Sequence, residues 1–157
     1  MKRRPLTKAQ LLDRMPRAFR RPLDASQRQQ LEMCHLVNLD AIATGLAEPG
    51  ILWDWVGSVL VWLRVAQRLQ AGELEMAGQL EVATRLVERY SRTGRVRFDG
   101  PDYQMAKIGA IVMQQLADMV DQPTAAEACD WSEAEVNRMA ASVTAWQAEH
   151  MQEAQAA

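Results

Sequence analysis

Residues 51–71 read ILWDWVGSVLVWLRVAQRLQA. Trp53, Trp55, Val56, Val59, Leu60, Trp62, Leu63, Val65, Ala66 and Leu69 occupy nearly every side of a helix built on this stretch. Asp54, Ser58, Arg64 and Arg68 leave only a narrow polar stripe. A helix apolar around most of its circumference has to be enclosed by other helices. Its most apolar run, Ile51 to Leu63, is thirteen residues broken by Asp54, short of the roughly 20 that span a bilayer. The segment therefore predicts a buried central helix and no membrane association.

Working outward, Pro49 and Gly50 mark the start of this helix, since proline suits the first turn, and Gly72 marks its end. The connection into the next helix, residues 73–92, is so short that the two must be antiparallel neighbours. There Met76, Leu80, Ala83, Leu86, Val87 and Tyr90 recur at helical spacing, and Gly94 is the stop. Before the central helix, Asp24 or Ser26 caps a helix running through Leu31, Cys34, Leu36, Val37 and Ile42 to Gly45. Ser26 with Gln29 has capping-box spacing. After it, residues 95–100 lack helical pattern, and Pro101 opens a helix through Met105, Ile108, Val112, Met113, Leu116 and Val120. Thr124 with Glu127, then Ser132 with Glu135, predict a short helix, a break near Trp131 and a last helix to about Glu153. Near the N-terminus Thr7 caps a short helix from Lys8 to Met15, limited by Pro16. Gly57 and Gly109 lie at similar depth on helices expected to run parallel. Each costs roughly 1 kcal/mol against alanine, so close backbone approach predicts that the two meet.

The 157 residues are 48% hydrophobic and 24% charged, which suits one globular domain and not a disordered chain. The reading is an all-α, single-domain bundle of four to five helices around the buried central helix. Residues 1–23 form a basic, largely flexible arm, residues 24–153 the bundle, and residues 154–157 a frayed tail. Phe19 and Leu23 are the docking anchors expected near the arm. Two cysteines, Cys34 and Cys129, are too few for a disulfide framework; their apolar surroundings predict buried free thiols and a reducing, cytoplasmic compartment. The basic start is not followed by an apolar run, so no secretory signal is expected. An Arg-rich, acid-poor start also suits an organellar transit peptide, but a solvated bacterial arm is the simpler expectation.

The net charge of −2 hides two opposite ends. Residues 1–23 carry eight bases and one acid, and the remainder ten bases and nineteen acids. Such asymmetry points to an electrostatic interaction surface more than to a catalytic pocket. The partner-binding candidates are Arg3, Arg4, Arg17, Arg20 and Arg21 in the arm, with Tyr90, Arg92, Arg95, Arg97 and Phe98 in a second basic-aromatic patch. A flexible arginine-rich arm binds nucleic acid through phosphates or pairs with acidic protein surfaces, this protein's own acidic C-terminal half in a homodimer included. The second patch alternatively clamps acids of the helix that follows.

Catalytic patterns are few. Glu32 and His35 have the Glu-x-x-His spacing of carboxylate-bridged di-metal bundles, but His150 has Gln147 at that offset and no second copy exists. His35 is expected as a polar boundary residue, and neither metal nor cofactor is expected. Cys34 and His35 are adjacent, which on a helix points them about 100° apart, so they form no nucleophile–base pair. Phosphate-binding glycine loops, serine hydrolase motifs and zincin motifs are absent. Residues 126–132 with Val136 have the outline of a helix-turn-helix. Asp130 stands where glycine is usual, however, and Glu133 and Glu135 would repel phosphates.

At residues 21–27, Arg-Pro-Leu-Asp-Ala-Ser-Gln, and at residues 92–95 with 98–100, the chain resembles small helical proteins of unknown function from proteobacterial prophages and integrative elements. The similarity covers residues 21–120, implies a bacterial mobile-element context and assigns no activity or functional residue. The expected function is a non-enzymatic accessory factor of a mobile element that modulates a host or element-encoded protein by binding, inhibition of a defence system being one form. The alternative is a nucleic-acid-binding regulator using the arm and a degenerate helix-turn-helix at residues 124–141. A metal-dependent helical-bundle enzyme stands third.

Overall fold

Polar caps and glycine stops set most helix ends. The computed structural model describes residues 5–156. These form α1 (Lys8–Arg14), α2 (Ala25–Thr44), α3 (Pro49–Leu69), α4 (Glu73–Thr93), α5 (Gly100–Ala117) and α6 (Gln122–Ala156), with a 3-10 turn at Arg17–Phe19. The protein is all-α, with six helices against the expected four to five and no strand among the described residues; Pro22 and Asp121 make one isolated antiparallel bridge. None of these helices is long and apolar enough to cross a membrane. Arg3 and Arg4 lie outside the described residues.

Local chemistry accounts for the boundaries. Thr7 with Gln10 and Asp24 with Gln27 form reciprocal capping boxes, so Asp24, and not Ser26, starts α2. The Asp99 side chain accepts the Asp102 N–H at the start of α5. Gly72 lies between α3 and α4 at φ +67°, and a Cβ there would approach Val112 Cγ1 to 3.2 Å. The turn thus needs glycine both for its backbone and for the closeness of α5. Gln70, at φ +53°, is the one described non-glycine residue in the left-handed region.

α3 touches α2, α4, α5 and α6. Leu52, Trp55, Val56, Val59, Val65 and Ala66 on α3 are fully buried, with Ile42, Met76, Leu86 and Ala128 from the surrounding helices. At about 25 cal/mol per Å² of apolar surface removed from water, this cluster dominates the favourable side of folding.

Three expectations are corrected. No break occurs near Trp131: α6 runs unbroken for 35 residues, about 52 Å at 1.5 Å per residue. Thr124 and Ser132 are interior helix positions, and the Asp121 side chain accepts the Thr124 N–H. No proline or glycine follows Pro123, and a Ser/Thr-x-x-Glu spacing is compatible with a helix interior when nothing breaks the backbone. The turn required by a helix-turn-helix is therefore absent. Gly57 and Gly109 serve different seams. A Cβ at Gly57 would contact Val136 and Ser132 of α6, whereas one at Gly109 would overlap the Gln79 side chain of α4. Finally, Cys34 and Cys129 are both exposed. The buried faces of α2 and α6 pass through His35, Leu39 and Ile42 and through Ala125, Ala128 and Ser132, one step around the helix from each thiol.

Candidate functional site

From Pro5 to Leu23 the basic segment lies against the bundle. Leu12 and Leu23 are buried, while the expected anchor Phe19 is 73% exposed. Asp13 accepts from Arg68 Nη1 at 2.7 Å, and Lys8 pairs with Asp130 of α6. Arg20 closes the end of α1 by donating to the Leu12 carbonyl at 2.7 Å and the Met15 carbonyl at 3.3 Å. The Gln122 N–H donates to the Arg21 carbonyl at 2.7 Å, so the arm meets the first turn of α6. Arg17, Arg20 and Arg68 line one hollow of about 480 Å³ with Asp121.

The second candidate patch divides between core and surface. Phe98 and Val96 are buried, with Phe98 edge-on to Trp55 at 5.1 Å. Tyr90 is half-buried, edge-on to Trp53 at 6.5 Å. Phe98 is thus packed in the core of this structure. Alternation turns Arg95 and Arg97 outward, where they are exposed with Arg92. The acids that follow are clamped instead by Arg89, which donates to the Arg97 carbonyl at 2.8 Å and Asp99 Oδ2 at 2.9 Å, and by Arg85, 2.9 Å from Asp102 Oδ1. The buried Asp102 raises the Arg85 guanidinium further above its usual range, through its hydrogen bond first.

The two basic patches occupy opposite ends of the bundle. The arm meets α3 at Arg68 and Leu69, whereas residues 92–97 follow the far end of antiparallel α4. A 21-residue helix separates them, roughly 30 Å of axial rise. Among the described residues, Arg14, Arg17, Arg20, Arg21, Arg92, Arg95, Arg97 and Lys107 have no described carboxylate oxygen within 4.0 Å. Lys107 lies over the Tyr103 ring. Every other base without an acid belongs to one of the two patches.

Two internal polar pairings were not foreseen from the sequence, although His35 was weighed there as a metal ligand and expected as a boundary residue. At the α3–α6 seam, buried Glu127 accepts from Arg64 Nη2 at 2.7 Å and Arg68 Nη2 at 3.3 Å. Burial on its own would raise the Glu127 carboxyl, but the two guanidiniums outweigh it and hold it below the ordinary carboxylate value. Arg64 also sits 5.4 Å over the Trp131 ring, and Ser132 donates to the Gly57 carbonyl at 2.7 Å.

At the α2–α3 seam His35 is buried, not a boundary residue. Its Nδ1 is 2.9 Å from Ser58 Oγ, and its Nε2 has no partner. Burial pushes the imidazole down to about 4, which leaves it neutral at physiological pH and a poor general base there. Ser58 opens onto a trough of about 620 Å³ lined by Leu31, Met33, Cys34, Val37, Asn38, Asp54, Val61 and Trp62. α2 therefore has a second apolar face, visible in the sequence only as Met33 and Val37 recurring beside the buried set. Among the described residues no three of His, Cys, Asp and Glu converge as metal ligands.

Compared with protein-family models, with curated proteins and with solved structures, the chain matches none.

Proposed function

We propose that the chain is a non-enzymatic interaction protein that modulates a host or element-encoded protein by occupying it, docking an acidic surface on its basic patches. One observation carries this reading: apart from Lys107, the described cations left without a carboxylate are confined to residues 14–21 and 92–97. Elsewhere arginines are consumed by internal pairs. A cation left free on the surface stays solvated at no cost and steers an acidic partner into encounter.

Nucleic acid is the weaker match. A strand needs a continuous positive track, whereas these patches lie at opposite ends of the bundle, a 21-residue helix apart. The reading head of the alternative is absent, because α6 has no turn.

Capture from the native host with the full chain, R17E/R21E and R95E/R97E tests the proposal. A protein retained by the full chain and lost with either reversal is expected. Retention indifferent to both reversals refutes it. Tight, salt-sensitive binding of duplex DNA that R17E/R21E abolishes replaces it with the nucleic-acid reading.

A further inference from the structure

The α2–α3 trough presents polar groups that the fold leaves available. Its walls are apolar at Val37, Val61 and Trp62, interrupted by Asn38 from α2 and by Asp54 and Ser58 from α3. Asp54 and Ser58 are one turn apart, so they share a face of α3. Among the described residues the Asp54 carboxylate has no cationic partner, and no lysine or arginine lines the trough. Ser58 is oriented from beneath by His35 at 2.9 Å. In either imidazole tautomer its oxygen retains a free lone pair. Carboxylate, amide oxygen and hydroxyl oxygen thus offer three acceptors in an apolar setting.

A primary ammonium has three N–H donors and no acceptor, so it complements this set. Small-molecule sites are apolar concavities of roughly 300–1,000 Å³ in which a few polar groups fix orientation; the trough, at about 620 Å³, falls within that range. We propose that the α2–α3 trough binds a small primary alkylamine, its ammonium held by Asp54, Ser58 and Asn38 and its chain laid along Val37, Val61 and Trp62. Asp54 repels an anionic head, and a neutral alcohol leaves the carboxylate unpaired. His35, neutral beneath Ser58, adds no competing charge. This site is separate from the basic patches and stands independently of them.

Calorimetric titration of the full chain with n-octylammonium, n-octanol and n-octanoate at neutral pH tests the assignment. One saturable site for n-octylammonium is expected, with n-octanol about tenfold weaker and n-octanoate not saturable. D54N should weaken n-octylammonium by about tenfold and leave n-octanol unchanged. V61W should remove both by filling the trough; V37W, from the exposed wall of α2, replaces it where melting shows V61W unfolded. Binding indifferent to headgroup and to D54N overturns the proposal, as does the absence of saturable n-octylammonium binding. Saturable binding confined to a lysine-bearing amphipathic peptide also overturns it, making the trough a seat for a partner's helix.

Discussion

The two long faces of α3 treat buried polarity in opposite ways. Toward α6, Glu127 stays charged because two guanidiniums surround it, and Asp13 completes the set through Arg68. Toward α2, His35 stays neutral because nothing there stabilises its cation: one nitrogen finds Ser58 and the other finds no partner. Burial disfavours charge on both faces, and the presence or absence of a counter-charge decides the outcome. The first seam is closed, its carboxylate paired and only Arg68 Nε left without a partner, while the second remains open as a trough. A surface that is already satisfied holds the fold together; one that is partly satisfied is free to take a ligand.

The largest break in this contrast is expected at Glu127. E127A strands the partly buried Arg64 guanidinium, leaves Arg68 with Asp13 alone, and should destabilise the fold by about 3 kcal/mol, read by urea denaturation. A loss below about 1 kcal/mol would place the seam among ordinary surface pairs. Of similar size is the response of His35 to acid. Its folded value of about 4 lies below the ordinary 6.5 of an exposed imidazole, so the unfolded chain takes up the proton first. Stability is then full above the unfolded value and falls as pH drops from 6.5 to about 4, by on the order of 3 kcal/mol. Glu127 behaves differently in acid: its contribution is present above the ordinary carboxylate value and is lost only as pH falls through its lowered folded value. In H35F the loss between 6.5 and 4 should vanish while the loss in stronger acid persists, and denaturation midpoints across that range would separate the two faces. The smallest effect is expected from S58A, which leaves His35 Nδ1 unpaired at a cost of about 1 kcal/mol. A double-mutant cycle with H35F should show the two changes coupled; strict additivity would mean that the hydroxyl and imidazole do not support one another.

Much of the fold was legible because its signals are local. The all-round apolar character of residues 51–71, the caps Thr7 and Asp24, and the stops Gly45, Gly72 and Gly94 all act within a turn or two of chain. The misreadings share a different cause. Thr124 and Ser132 look like caps, yet a capping residue and an interior Ser or Thr have the same letters until the backbone beyond them is known. Val96 and Phe98 alternate with arginines, and alternation shows that one side is buried without showing which. Of the candidate patches, Arg17, Arg20, Arg21, Arg92, Arg95 and Arg97 were recoverable from charge clustering. The trough was not, because Met33 and Val37 mark an apolar face on α2 without showing that α3 leaves a gap against it.

The extents of α1 to α5 and the enclosure of the tryptophan-rich segment were thus written into the chain itself, because an α-helix closes its hydrogen bonds four residues apart and its apolar stripe repeats within two turns. Packing settled the rest. Arg64 meets Glu127 across 63 residues, and His35 meets Ser58 across 23. A charge or an imidazole at either end carries no information about its eventual neighbour until the helices pack and exclude water. Only then do burial and counter-charge fix whether each group is ionised, and which seam stays open.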